Sequence, residues 1–427
     1  MICKKHHDHQ KFLYILALLL STGSLMACAK EEMIQPSDSR QITATEKTAY
    51  ADTFDRRAYG SAGSTSQETT GDTQTSTTTN GLSPEILADR KARFGQNCIA
   101  EQTFEVTLSE YGEKIFFVPF APSDSNPEFH MELISDTGVL CEIPAYVPEG
   151  LAAGDFKSLD AVSFYDVNYD SHTDIVLIQT YGDRAYASVY YGYPPGHLYA
   201  PSDGKAAFDL QESLSRQLSD LVSPLSIPEI RSFLSGGKKN GDFDSYQEAY
   251  TAVSKLDSFV SEATTYDLIY INDDEIPELS TGVSGSWVNL YTYHDGTVYI
   301  LMDQWSYGGG GNHGYEYSPR KNSILNHNSD FAGAILYTTY MQITDRHTLE
   351  VSAQIKTYNF DDANGNGTLD ESEFDSAERY SVSYLNGREI SAEEAASFEM
   401  GDYIYIDPAL DLANLHTQLK TNEYNEK

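Results

Sequence analysis

The chain is poor in basic residues, tryptophan, cysteine and long apolar runs, and each shortage narrows what it can do. It has 28 Lys and Arg against 64 Asp and Glu in 427 residues, a formal net charge of −36. Nucleic-acid binding needs a basic surface that displaces counterions from phosphates, so this balance argues against it. It argues equally against passive docking on anionic lipid and favours divalent cations and solubility. Signatures of catalysis are missing too. There is no His-Glu-x-x-His, no Gly-x-Ser-x-Gly and no Cys-Gly-x-Cys. Ser318-Pro-Arg-Lys321 matches Ser-x-x-Lys in spacing only, because Pro319 spoils the helical turn that brings such a lysine near its serine. Gly308–Gly311 is not followed by Gly-Lys-Ser/Thr, so it is not a phosphate loop. Paired carboxylates are abundant in so acidic a chain and discriminate nothing, which leaves a glycosidase-like hydrolase open as the alternative to a binding protein.

The longest apolar run, Phe12–Leu20, is too short to cross a bilayer as a helix. It follows a basic segment with Lys4, Lys5 and Lys11 and precedes Leu25-Met26-Ala27-Cys28, the layout of a signal peptide with a small residue before the cut. This stretch resembles the bacterial lipoprotein lipobox. The resemblance implies that residues 1–27 are removed and that Cys28 carries the lipid. His6, His7 and His9 fall in the removed segment. Cys98 and Cys141 then remain on the oxidising side, where a disulfide and two buried thiols are both open.

What is present in strength is a set of acidic loops. Asp362-Ala-Asn-Gly-Asn-Gly-Thr-Leu-Asp-Glu-Ser-Glu373 fits a twelve-residue calcium loop. Asp362, Asn364 and Asn366 offer alternating side-chain oxygens, and Gly367 permits the sharp turn. Thr368 offers its carbonyl, Asp370 acts through a water, and Glu373 supplies two oxygens. Val351, Ala353 and Ile355 alternate into it, so a strand enters the loop and not a helix. With three acids in the set, weak affinity is expected, Kd about 10⁻⁵ to 10⁻³ M. Two upstream stretches repeat the template. The first places Asp166, Asn168, Asp170, His172 and Asp174 between strand-like runs. It is similar to FG-GAP/VCBS-type calcium repeats, with Ser171 where that family has glycine. The second has Asn272, Asp274 and Glu278, with Tyr270 at the first position and Glu275 in place of glycine. It resembles the Asp-x-Asn/Asp-x-Asp-Gly-x-Pro-Glu-Leu unit of Gram-positive-type surface proteins.

The organisation follows. Residues 28–82 form a Ser/Thr-rich tether without apolar period. Residues 83–203 are a β-rich module with the FG-GAP-like loop, and it opens with a helix at Ser83-Pro84. Residues 204–262 are a helical connector, with Leu210, Leu214, Leu218 and Leu221 at helical spacing and capping boxes at Ser226 and Ser245. Its second apolar face runs Tyr246, Tyr250, Val253, Val260. Residues 263–427 are a second β-rich module holding the EF-hand-like loop and a closing helix over 411–419. The fold class expected is α+β, two β-rich modules with a helical insert. Trp305, Tyr307, His313 and Tyr315 surround the glycine run, either as an aromatic platform for a sugar or peptide or as a loop folded on its own rings. Grouped strands speak against a third class, the solute-binding lipoprotein of a transporter.

These features describe a lipid-anchored, extracellular, calcium-binding surface protein, similar to Gram-positive-type lipoproteins and more in keeping with binding than with catalysis. The cofactor expected is Ca²⁺. The partners expected are the membrane, through the N-terminal lipid, and a surface ligand (glycan, wall polymer or protein).

Overall fold

The computed structural model describes residues 82–108, 114–194, 207–376 and 381–421. Among these residues the fold is β-rich α+β, with four antiparallel sheets. Sheet I holds β1 (Phe104–Val106), β2 (Ile115–Phe120), β3 (His130–Ser135) and β4 (Gly138–Ile143). Sheet II holds β5 (Phe156–Tyr165), β6 (Asp174–Tyr181), β7 (Arg184–Tyr193) and β8 (Ala207–Leu210). Sheet III holds β9 (Thr265–Ile269), β10 (Glu278–Val283), β11 (Trp287–His294) and β12 (Thr297–Ser306). Sheet IV contains β13 (Tyr315–Ser318), β14 (Ser323–Asp330), β15 (Ile335–Ile343), β16 (Leu349–Tyr358), β17 (Val382–Leu385), β18 (Arg388–Ile390) and β19 (Ile404–Tyr405), in the order β18-β17-β16-β15-β14-β13-β19.

The sheets are layered because successive strand residues point to opposite faces. On β6, Ile175 and Leu177 join Phe117, Met131 and Leu133 of sheet I, while Val176 and Ile178 face the other way. That second face meets α2 (Glu212–Leu221), α3 (Ile227–Ser235) and α4 (Tyr246–Asp257), whose Leu214, Leu218, Ile230, Tyr250 and Val253 are buried. The same core takes Tyr266, Leu279 and Tyr291 from sheet III and Leu415 and Leu419 from α6 (Leu412–Thr421). Sheet III turns Ile269, Val288, Leu290 and Met302 to Ile324, Met341 and Ile343 of sheet IV. The helical segment expected as a connector is therefore the shared core between sheets II and III, and the C-terminal helix returns to it.

Local chemistry sets the helix ends. Ser83, Ser226, Ser245 and Ser391 each accept an amide three residues on, at 3.2–3.4 Å, and start α1 (Pro84–Phe94), α3, α4 and α5 (Ala392–Ala396). Two expected positions differ. Leu210 closes β8 and α2 begins only at Glu212, while Val260 lies beyond the end of α4 at 48 % exposure. Cys98 pairs beside Phe120 and Cys141 lies opposite Leu133, in different cores with β2 and β3 between them, so they stay thiols.

Free strand edges are covered by side chains. Ser215 and Ser219, one turn apart on α2, accept the amides of Val189 and Ala187 on β7 at 2.9 Å each. On β12, an outer strand of sheet III, Asn240 accepts the Val298 amide at 2.8 Å and donates to its carbonyl at 3.1 Å. Gly241 and Phe243 give their amides to Gly296 at 3.0 and 3.3 Å.

Candidate metal-binding loops

The three acidic stretches all close by one scheme of Asx hydrogen bonds. The third-position oxygen takes the fifth-position amide in Asn168–Asp170 (3.3 Å), Asn272–Asp274 (3.1 Å) and Asn364–Asn366 (2.9 Å). The fifth-position oxygen takes the seventh-position amide in Asp170–His172 (2.7 Å), Asp274–Ile276 (2.8 Å) and Asn366–Thr368 (2.8 Å). First-position carboxylates take the sixth-position amide, Asp166 from Ser171 at 3.2 Å and Asp362 from Gly367 at 3.0 Å. In these two loops the fourth and sixth residues are left-handed: Tyr169 and Ser171 at φ 67, Gly365 and Gly367 at φ 70 and 75. Gly367 adopts this without strain, whereas Ser171 carries a conformational cost that a glycine would avoid.

The first loop is the most enclosed. Asp166 joins β5 and keeps part of its surface open, yet its Oδ1 is shut from solvent and has no hydrogen-bond partner. Its Oδ2 accepts from Ser171 and, at 3.3 Å, from Asn240. Burial, and then the Asp170 charge, push this carboxyl up to about 7. Asp170 also accepts the Asn168 side-chain amide at 2.9 Å. Asp174 is fully buried and points into the base of the loop, where it accepts the amides of Val167 (2.6 Å), Asn168 (3.3 Å) and Gly192 (2.9 Å). Burial, then Asp170 and Asp166, hold its pKa well above the ordinary range. Asp174 is a staple tying loop to β7. His172 contributes its main-chain amide to the turn.

The second loop is stapled alike. Buried Glu278 accepts the Ile271 amide at 2.9 Å and the Thr292 hydroxyl at 3.3 Å, and burial pushes it up to about 8. Tyr270, in the first position, supplies no carboxylate. Its ring carries the Arg320 guanidinium at 4.4 Å, and Arg320 donates to the Asp274 carbonyl at 3.2 Å and stands 3.9 Å from Asp273. The Arg320 charge thus offsets part of the negative charge of this loop.

The third loop lies at the surface after β16. Asp370 accepts Asn364 and Asn366 side-chain amides at 2.6 and 2.9 Å. Glu373 folds back, 5 % exposed, with Oε2 on the Asp370 amide at 3.1 Å. The Thr368 hydroxyl donates to Asn366 at 2.8 Å. Among the described residues no three His, Cys, Asp or Glu side chains converge closely enough to hold a metal between them. An ion in these loops would draw on Asn and main-chain oxygens as well, which suits a hard cation and not zinc.

The glycine run sits elsewhere, between sheets III and IV. Trp305 lies 5.4 Å from Tyr315 and Tyr307 lies 6.3 Å from it, centroid to centroid, while His313 is exposed. The Tyr307 hydroxyl accepts the Gly285 amide at 3.0 Å, and Gly314 packs under its ring. These rings pack on one another. Cys28 lies outside the described residues.

Two interior acids belong to no motif. Asp257, at the end of α4, accepts from Thr281, from Asn289 at 3.2 Å and from Tyr291 at 3.0 Å, and burial pushes it up to about 6. Asp303 on β12 is pushed to about 6 by burial and then by Asp170 and Asp257. Asp257 continues the apolar face of Tyr250 and Val253 at helical spacing, which is its one signal in the sequence. Comparison with protein-family models, curated proteins and solved structures finds no match for this chain.

Proposed function

We propose that this is a lipid-anchored extracellular surface protein that binds a ligand through a rigid β-rich body braced by calcium. The observation that carries the calcium reading is Asp166 Oδ1, a carboxylate oxygen closed from solvent with no donor, at the position where the loop template puts a metal ligand. The shared hydrogen-bond scheme supports the same use for Asp362, Asn364, Asn366, Thr368 and Glu373. Arg320 makes the loop at Asn272, Asp274 and Glu278 the weakest candidate. Anchoring rests on the lipobox-like segment ending in Cys28.

A glycosidase needs two carboxylates across its cleft, and the groove of about 510 Å³ between α3, α4 and α6 is not such a cleft, because its one lining carboxylate, Glu248, is paired with Lys238 at 2.7 Å.

Two experiments test the proposal. Cys28→Ala should move the protein from the membrane fraction to the soluble fraction; retention in the membrane would refute lipid anchoring at that residue. In calcium titrations, Glu373→Gln should weaken binding more than Asp370→Asn, because it removes a bidentate ligand. Equal effects would refute a loop that runs from Asp362 to Glu373.

A further inference from the structure

We propose that the loop at 166–174 is an inter-sheet cation site, positioned by Asn240 and reinforced by the charge of Asp303 from outside the loop, so that a divalent cation bound there fastens sheet II to sheet III. The inference rests on the calcium reading of that loop and adds to it two residues and a mechanical role.

Asn240 makes the first link. Its side chain holds Asp166 Oδ2 at 3.3 Å and, with the same amide group, both main-chain atoms of Val298. Three bonds leave it no freedom to swing, so it fixes the carboxylate with Oδ1 as the oxygen left over. The backbone around it is clamped as well. Gly241 and Phe243 both bond Gly296, at the tip of the β11–β12 hairpin, and the chains approach so closely that a Cβ on Gly296 would lie 2.6 Å from the Gly241 carbonyl. Movement at Asp166 is therefore passed to the hairpin through one amide side chain.

Asp303 makes the second. Along β12, Trp305 pairs with Val288 and Met302 with Leu290, so Asp303 and Gln304 share Asn289 as their opposite residue. This is a β-bulge, and bulges re-aim side chains. Side-chain bonds hold it open. Gln304 takes φ 47, and its amide is accepted by Asn289 Oδ1 at 2.6 Å while Asn289 Nδ2 grips Asp257. The bulge places the Asp303 carboxylate within electrostatic range of Asp170 in the loop. The like charges of Asp303 and Asp170, from two sheets, repel each other, and a divalent cation in the loop would relieve that repulsion.

The test uses the full-length chain carrying Glu373→Gln, which weakens the surface loop, titrated with CaCl₂ by calorimetry and followed by amide hydrogen exchange. Calcium should slow exchange at Gly241, Phe243 and Val298. Asn240→Ala should weaken binding by about tenfold and abolish that protection. Asp303→Asn, nearly isosteric, should weaken binding while raising the stability of the calcium-free protein, because it removes a buried charge. A merely structural residue would not move these two quantities in opposite directions. Calcium binding that is unchanged in both variants, or binding without protection at Val298, would overturn the inter-sheet site alone. No binding by the parent chain, together with none by the unmutated protein, would overturn the calcium reading with it.

Discussion

Gly192→Ala should destabilise the protein by about 3 kcal/mol or more, one of the largest effects of any single methyl group in the chain. A Cβ at Gly192 would lie 2.2 Å from the Thr173 carbonyl oxygen and 3.1 Å from the Phe208 ring. The first contact sets a Cβ fixed to the main chain against a main-chain oxygen, so no side chain can turn aside, and β7 must part from the end of the loop. The Gly192 amide is also one of the three donors on buried Asp174. Moving it leaves a buried carboxylate short of a partner, which adds to the overpacking cost. Gly154→Ala is the control, since nothing stands within 4 Å of its Cβ position. Urea unfolding of the two variants checks this. Gly154→Ala should stay within about 0.5 kcal/mol of the parent. Equal midpoints for the two would mean that the β7–loop junction is not tightly packed.

The second large effect is a pH dependence opposite to that of most acidic proteins. Carboxyls are commonly lowered by folding, and stability is then lost in acid. Here Asp257 and Asp303 are pushed to about 6, Asp166 to about 7 and Glu278 to about 8, all chiefly by burial. Their unfolded values are about 4. A raised folded value means the native state holds the proton longer, so the stabilisation is complete below about pH 4 and is lost as pH rises through 6 to 8. A tenfold difference in proton affinity between folded and unfolded chain is worth about 1.4 kcal/mol, so without divalent cations the loss between pH 5 and 8 should be on the order of several kcal/mol. Denaturant midpoints in EDTA across that range check it. If the first loop binds calcium as proposed, calcium should flatten the profile, because at Asp166 the cation would take the place of the proton. A stability that rises with pH in EDTA would contradict the burial assigned to these four acids.

Much of this architecture is legible in the sequence, for identifiable reasons. Ser caps announce α1, α3, α4 and α5 because one side-chain oxygen meets one amide three residues on, a strictly local event. The acidic loops are legible for the same reason, since their hydrogen bonds run between neighbours two to five apart. What is illegible depends on distant partners. β14 contains Asn-His-Asn-Ser, which carries little apolar alternation, and it is a strand because β13 and β15 flank it. Leu210 continues a leucine spacing but is captured by the β7 ladder at Tyr190. Asn240 sits among glycine and lysine as a connector residue would, and only the fold brings it to Asp166 and Val298. Asp303 needs a bulge to reach the interior, and no periodicity encodes a bulge. The layering of sheets II and III about one core likewise follows from side chains that alternate toward two different partners, of which a single strand shows only the alternation.

If the acidic loops hold calcium, and the ion braces the β-rich body, then calcium must stabilise the folded chain. A thermal melt of the full-length protein at pH 7.5 in EDTA, in millimolar CaCl₂ and in millimolar MgCl₂ tests this most directly. An ion that binds only the folded state stabilises by RT ln(1 + [L]/Kd), about 2.7 kcal/mol at a hundredfold excess over Kd. Calcium should raise the melting temperature clearly and magnesium little, because the small octahedral shell of magnesium does not match these wide, Asn-containing loops. Coincident melts in EDTA and calcium would contradict a calcium-braced fold.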